Sequence, residues 1–398
     1  MTGSIDEHVA SLDADQLPSY IYDLAALRRH VGAIRSRIPA DVELFYAAKA
    51  NPDAVLLRTL APLVDGFEAS SAGELDHIMA SAPGARVAVG GPGKSPADLR
   101  AAIRHGVDRV HVESVTELRR LSQAAAESGR RIDILLRANL VDVPPAIDDA
   151  PLAMAGRATP FGMDDRDISD CLRLLSGDTH LRLAGLHAHV ASGLHADAHL
   201  AVCASILRYA EQIERAHDVQ LQEVNLGGGM AVSYDPSGQQ FDWDHWTAGI
   251  EALRLRGHQH RTLRIEPGRA LTAWCGSYVT EILDIKRSHG EEVVIVAGGT
   301  HHLRTPAARG HDQPAHLVPV AASSAPRVTH EHAQLVGQLC TPKDVLSRRA
   351  PLHGAGLGDR VVLSLAGAYA WNISHHDFLM HPAPTVHYLD DDVRASHP

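Results

Sequence analysis

The chain has 398 residues, 45% hydrophobic and 21% charged, which is enough apolar surface for a sizeable core and for two domains. Lys and Arg number 37 against 48 Asp and Glu, a formal net charge of -11, and no stretch concentrates basic residues with aromatics, which argues against nucleic acid as a partner. No apolar run approaches membrane length and residues 1–17 are polar and acidic, so the expectation is a cytoplasmic protein without a membrane partner.

Residues 17–22 read as a short strand, after which Asp23 is positioned to cap a helix over 24–38 whose apolar residues recur at helical spacing. Eight short apolar runs follow, at 42–48, 64–69, 86–89, 109–112, 132–137, 181–190, 223–226 and 262–265. Amphipathic helical stretches at 52–60, 72–80, 96–105, 115–127, 167–175, 197–216 and 243–255 separate most of them. Strand and helix alternating in this way predict an α/β fold with a parallel (β/α)8 barrel of the TIM type. Residues 142–160 are long and contain prolines, and are expected to form a loop over the barrel mouth. After Ala273 the texture changes to β-branched runs at 278–285, 292–296, 316–320, 333–339 and 360–365, a mostly antiparallel sheet. Residues 18–22 are expected to join that sheet, giving a barrel domain at 23–274 and a discontinuous β-domain at 1–22 and 275–398.

In such a barrel the carboxyl ends of the strands carry the chemistry. Lys49 follows the first run, Arg137 closes the fifth, His189 ends the sixth, Gly227, Gly228 and Gly229 follow the seventh, and Glu266, Pro267, Gly268 and Arg269 follow the eighth. A lysine at a strand end is either an ordinary surface cation or a poorly solvated amine that loses its proton and condenses with an aldehyde, as in a pyridoxal phosphate Schiff base. The glycines are either a tight turn or a place where backbone N–H groups close around a phosphate, with Arg269 and the Ser192 hydroxyl as further donors. His189 is either a satisfied core imidazole or a flat ring that stacks on a pyridine. Glu266 either pairs locally with Arg264 or Arg269, or keeps a pyridine nitrogen protonated and so makes the ring a strong electron sink.

The four cysteines, Cys171, Cys203, Cys275 and Cys340, lie far apart and read as thiols, without a metal or disulfide framework. The 27 histidines lack an HExxH spacing, so no metal is expected, and they read as solvated or hydrogen-bonded imidazoles.

Taken together, Tyr46-x-x-Lys49-Ala50-Asn51, Ser70-Ser71-Ala72-Gly73-Glu74, His187-x-His189-Val190-x-Ser192-Gly193, the glycine triplet, Glu266-Pro267-Gly268-Arg269, Cys340 with Asp344, and Gly367-Ala368-Tyr369 resemble one family over nearly the whole length. It is the fold type III pyridoxal phosphate decarboxylases, which include ornithine and diaminopimelate decarboxylases and are related to alanine racemase. The resemblance implies that Lys49 carries the pyridoxal 5'-phosphate, His189 stacks on it, and Glu266 meets its pyridine nitrogen. Ser192, Gly228, Gly229, Arg269 and Tyr369 would hold the phosphate, with Arg137, Gly227 and Gly268 completing the cofactor site. It further implies a head-to-tail homodimer in which Cys340 reaches the neighbouring barrel and reprotonates Cα after carbon dioxide leaves.

Where the family places an acid after this cysteine to hold a distal amine, the chain has Thr341, Pro342 and Lys343; Ala191 replaces a usual glycine and Pro160 a usual basic residue. These departures are similar to the siderophore-biosynthesis branch, which acts on a citryl-diaminopropionate conjugate. A citryl arm brings carboxylates, so His301, His302, Arg304, Arg309, Thr341 and Lys343 are the substrate candidates. The competing expectation is an ornithine, lysine or diaminopimelate decarboxylase whose substrate amine is held by Asp344. A racemase is disfavoured by Glu266 and the Cys340 loop, and a non-catalytic regulatory relative by the presence of Lys49, Glu266 and Cys340 together.

Overall fold

The computed structural model describes residues 2–147, 152–321 and 323–390. They form two compact units, one of residues 30–232 and 240–271, the other of residues up to 29, 233–239 and from 272 onward.

The first unit is a closed barrel of eight parallel strands, Val42–Ala47, Gly66–Ala69, Val87–Val89, Arg109–Val112, Ile132–Arg137, Leu181–His187, Glu223–Asn225 and Thr262–Ile265. Every one of the eight apolar runs supplies a strand. Helices start where short polar side chains accept backbone N–H groups: Asp53, Ser71, Ser95, Ser114, Asp164 and Asp242 each cap the helix that follows. The run beginning at Val64 enters the sheet only at Gly66, because the amides of Leu63 and Val64 bond back to the Leu60 carbonyl. The run at 181–190 is a strand only to His187; Ala191–Ser192 then pairs antiparallel with Leu152–Ala153, so the expected mouth loop carries a two-residue strand, with residues 148–151 outside the described residues.

At the amino-terminal ends of the strands the barrel interior is filled by charge. Arg264, fully buried, lies 2.6 Å from Glu43, 2.8 Å from Asp108 and 3.3 Å from Glu223. Arg109 reaches Glu223 at 2.9 Å and Arg86 reaches Glu43 at 2.6 Å and Asp108 at 3.1 Å. The Arg264 guanidinium also lies 3.8 Å from the Phe45 ring centroid.

The second unit is an eight-stranded sheet whose hub is the long strand Gly276–Ser288. It pairs antiparallel with Ser19–Asp23, Glu291–Val296 and Arg360–Leu363. Two pairings are parallel, Ser19–Asp23 with Thr385–Leu389 and Glu291–Val296 with Ala333–Val336, so the sheet is mixed. The acidic start of the chain also holds a helix, Thr2–Ser11, from which Val9 joins Leu12, Ile21, Val279, Val318 and Val362 in one apolar cluster. Residues 233–239, read from the sequence as barrel, go with this unit, where the Tyr234 ring lies 4.2 Å from that of His311. Among the described residues no helix is long and apolar enough to cross a membrane.

Candidate active site

The strand Val42–Ala47 ends in a single 3-10 turn, Ala48–Ala50, which lifts Lys49 onto the carboxyl edge of the barrel. The expectation of a poorly solvated amine is corrected: in the described chain the Lys49 side chain is 49% exposed, and its Nζ lies 3.1 Å from Glu68 Oε2. Glu68, on the neighbouring strand Gly66–Ala69, is the buried member of the pair and also accepts from the Ser70 hydroxyl at 3.1 Å. A carboxylate beside the amine favours its charged form, so burial does not make this amine neutral.

Gly268 brings the loop after the eighth strand against this turn. A Cβ there would stand 2.8 Å from Ala50 Cβ, and the Ala47 amide donates to the Pro267 carbonyl at 3.2 Å. Glu266 consequently enters the mouth and is buried. Its Oε1 accepts from Asn225 Nδ2 at 2.7 Å. Burial first, then the Glu68 charge, raises its carboxyl above the usual range, while the Asn225 hydrogen bond and the Lys49 charge pull it down. The local pairing with Arg264 is not formed, because Arg264 points to the opposite end of the barrel.

The glycine loop is packed too tightly for side chains. A Cβ on Gly228 would meet the Glu266 carbonyl oxygen at 2.2 Å, one on Gly229 that of Ala191 at 2.1 Å, and Gly227 has φ of +68°. Two of its amides are already used, so of the two glycines expected to hold a phosphate Gly228 has its N–H committed elsewhere: Gly227 N–H donates to Asn225 Oδ1 at 2.9 Å and Gly228 N–H to His189 Nδ1 at 3.0 Å. With Nδ1 accepting, His189 carries its proton on Nε2, which lies 3.3 Å from the Ser192 hydroxyl. Burial, then the charges of Lys49 and Arg137, lower the His189 pKa and keep the ring neutral. Behind the loop, His199 takes the Trp246 indole N–H on Nδ1 at 2.9 Å and bonds the Gly228 carbonyl through Nε2 at 3.1 Å.

Arg137 is tied down, its Nη1 lying 2.7 Å from Glu113 and its guanidinium 4.8 Å from the Phe161 ring centroid. Glu113 also accepts from the amides of Gly91 and Gly162. Arg269 is half-buried at the start of the short helix Arg269–Thr272.

In the second unit Cys340 is exposed and Cys275 is a buried thiol, as are Cys171 and Cys203 in the barrel unit. Arg304, Arg309 and Lys343 are exposed and Thr341 is half-buried. Tyr369 is half-buried, with φ of +50°, and its carbonyl accepts from Thr305 Oγ1. His302 and Asp344 are committed internally, which corrects their reading as ligand contacts. His302 Nδ1 lies 3.0 Å from the Tyr278 hydroxyl and its Nε2 3.0 Å from the Pro382 carbonyl. The Asp344 carboxylate, 2% exposed, accepts from the amides of Thr300 and Leu339 at 2.6 and 2.8 Å, closing the turn that carries Cys340. His301 is fully buried with neither ring nitrogen hydrogen-bonded among the described residues. His111 and His187 are the same in the barrel, so three imidazoles are neither solvated nor bonded as the sequence reading expected.

Sequence reasoning missed Glu68, Asn225, His111 and His199. For Glu68, Asn225 and His111 the available signal was a polar residue inside an otherwise apolar run, which in a barrel strand points inward, whereas His199 lies on the helix Ala196–His217 and gave no such signal.

The mouth thus gathers a lysine amine, a buried carboxylate, a flat neutral imidazole and a glycine cradle that any Cβ would fill. These groups fit pyridoxal phosphate, which needs an amine for its aldehyde, an acid for its ring nitrogen and close backbone for its phosphate. Residues 24–273 match the family model for the pyridoxal-dependent decarboxylase, pyridoxal binding domain. The chain is 38% identical over 93% of both chains to 2-[(L-alanin-3-ylcarbamoyl)methyl]-2-hydroxybutanedioate decarboxylase of Staphylococcus aureus. It is 30% identical to diaminopimelate decarboxylase of Actinosynnema pretiosum, across 95% of this chain and 85% of that one. The solved diaminopimelate decarboxylase of Helicobacter pylori in complex with L-lysine superposes with a TM-score of 0.85 at 22% identity, covering 97% of this chain and 94% of that one, a likeness of fold. The chain therefore belongs to the pyridoxal-dependent decarboxylases of fold type III, enzymes that use pyridoxal 5'-phosphate to remove a carboxyl group.

Proposed function

We propose that the chain is an α-decarboxylase of an amino acid conjugated to a carboxylate-bearing acid, a siderophore precursor such as citryl-diaminopropionate, and that it works as a homodimer. The observation that carries this reading is the 38% identity, over 93% of both chains, to an enzyme named for a substrate with an alanine end and a hydroxybutanedioate end. Thr341, Pro342 and Lys343 after Cys340 support it, since no acid there would hold a distal amine, while Lys343, Arg304 and Arg309 are exposed cations suited to carboxylates. His301, with two unpartnered ring nitrogens, is a further candidate for that arm.

Lys49 would hold the cofactor aldehyde, with Glu68 Oε2, 3.1 Å from Nζ, orienting the amine. Glu266 would meet the pyridine nitrogen and His189, fixed by the Gly228 amide, would stack on the ring. Ser192, Gly229 and Arg269 bind the phosphate together with Tyr369, while Gly227 and Gly228 let the backbone approach closely. Arg137, braced by Glu113, adds positive potential beside the ring. When bound, the cofactor supplies a ring that takes up the electrons freed as the carboxyl group departs. Cys340, exposed on its own chain, reaches the partner subunit's barrel and gives its Sγ proton to Cα. A basic amino-acid decarboxylase using Asp344 as counter-ion loses support, because both Asp344 oxygens already accept backbone amides.

Carbon dioxide release from a panel of citryl-diaminopropionate, ornithine, lysine and diaminopimelate tests the reading. Preference for the conjugate supports it; preference for any of the three free amino acids overturns it.

A further inference from the structure

His111 and His187 lie against the carboxylate of Glu266, and the reaction just described uses neither. His111 is the third residue of the strand Arg109–Val112 and His187 the last of Leu181–His187; both side chains turn into the barrel and are buried. Their rings stack with centroids 4.2 Å apart and planes 29° apart. All four ring nitrogens lack a hydrogen-bond partner among the described residues. Burying such a group unmet costs on the order of 1–3 kcal/mol, so four together mark a place where another group completes the bonding.

Two partners are conceivable, a metal ion or the carboxylate itself. The ligand atoms of His111, His187 and Glu266 lie within 4.8 Å of one another, close enough to suggest a metal. Stacking argues otherwise. A shared ion must lie in the plane of both rings, along both lone pairs, whereas stacked rings send their in-plane lone pairs side by side. Each ring instead addresses its own oxygen: His111 Nε2 is 3.7 Å from Oε1 and His187 Nε2 is 3.5 Å from Oε2. Movement of less than about 1 Å brings both into hydrogen-bond range.

We propose that His111 and His187 are positioning residues for the cofactor: each gives one ring N–H to a different oxygen of Glu266 and, with Asn225, they fix that carboxylate against the pyridine nitrogen. The charge pattern agrees. Burial is the largest influence keeping both imidazoles neutral, reinforced at His111 by Arg264, Lys94, Arg137 and Lys49, and at His187 by His111, Arg137, His189 and Lys49. Glu266 itself feels the charges of Glu68, Lys49 and, from the far end of the barrel, Arg264, and is hydrogen-bonded by Asn225. Neutral donors steady a carboxylate without cancelling its charge, which is left for the ring nitrogen. A protonated imidazole would compete with the pyridinium for the same oxygens.

This inference rests on the assignment of Glu266 to the pyridine nitrogen, and one set of measurements separates the two. Pyridoxal phosphate is titrated into apo-protein of the wild type, Glu266→Gln, His111→Phe, His187→Phe, His111→Asn and His187→Asn. Affinity is read by fluorescence quenching, the visible spectrum across neutral pH, and unfolding of each apo-protein by temperature. Each Phe variant is expected to weaken cofactor binding about tenfold and shift the spectrum, while the Asn variants, which keep a donor, stay within about threefold of wild type. Apo-protein stability in the Phe variants should hold or rise, because an unmet polar group has left the core. A parallel fall in stability and affinity would mean a merely structural pair and would overturn the proposal. Unchanged affinity and spectrum in both Phe variants, with Glu266→Gln altered, overturns the positioning role alone; an unaltered Glu266→Gln overturns the assignment of Glu266 and the inference with it. Stoichiometric zinc bound by apo-protein, excluding cofactor and lost in the Asn variants, also overturns it. Should a Phe variant fail to fold, His187→Leu carries the same comparison.

Discussion

The two ends of the barrel bury charge in opposite ways. At the amino-terminal ends Arg264, Arg109, Arg86, Glu43, Asp108 and Glu223 each have an opposite charge within 3.3 Å. At the carboxyl ends Lys49 is half exposed with Glu68 as neighbour, and His111 and His187 keep four ring nitrogens without a partner. The same eight strands carry both sets, so the difference lies in the residues at their tips. The charges at the base are matched among themselves, although Glu223 Oε1 and Arg264 Nη1 lack a hydrogen bond among the described residues, whereas the mouth leaves two whole imidazoles unmet, which preorganises it for a ligand and costs the empty protein stability.

The sharpest way to test that division is at the mouth. Lys49→Ala should bring carbon dioxide release to background and remove the visible band of bound cofactor, with thermal unfolding close to wild type; a variant that keeps the band would place the attachment elsewhere. Cys340→Ala should behave as a mouth residue too, losing roughly 10²–10⁴-fold in turnover while cofactor affinity stays, and undiminished normal product would remove its acid role.

The base should respond in the other currency. Arg264→Ala strands Glu43, Asp108 and Glu223 in the interior and should cost about 3–5 kcal/mol in urea unfolding, with cofactor affinity unchanged in the folded fraction. Loss of affinity at full stability would erase the distinction between the ends.

The smallest effect is a two-stage acid response of the apo-protein. The folded pKa values of His111, His187 and His189 are lowered from 6.5, so below that value the unfolded chain binds protons the folded chain refuses. Their contribution is complete above about 6.5 and falls as pH drops. Glu43 and Asp108 have carboxyls held below their ordinary 4.5 and 3.8, so their contribution at the base persists to lower pH and is lost as acid reaches those carboxylates, while Glu223, raised by burial, works with the opposite sign. Glu266, whose folded pKa is raised, works with the opposite sign, since its stability contribution falls as pH rises from 4.5. His30, His199, His258, His301 and His302 are lowered as well, so urea unfolding of apo Glu266→Gln across pH is compared with the same protein carrying His111→Phe and His187→Phe; identical profiles just below 6.5 would mean that the mouth pair protonates freely in the fold.

Much of this site was legible beforehand. Lys49, His189, the glycines, Glu266 and Arg269 all fall at the carboxyl end of a strand, because local apolar periodicity located the strands and the barrel's geometry located their ends. What escaped were the partners. Glu68 meets Lys49 across 19 residues and Asn225 meets Glu266 across 41, and each contact depends on neighbouring strand register. The strand Val345–Ala350 escaped as well, its Ser347, Arg348 and Arg349 giving no clean alternation.

By itself the chain's order of residues determined the alternation of strand and helix, the capped helix starts and the list of reactive side chains, since all of these depend on interactions within a few residues. Only the closed sheet decided which of those side chains meet. Closure brought His111, His187 and Glu266 together from three separate strands, sent Arg264 to the opposite end from Glu266 two residues later, and committed two of the three glycine amides to neighbours of their own. Pairing of that kind is a property of register and pleat, which no single segment contains.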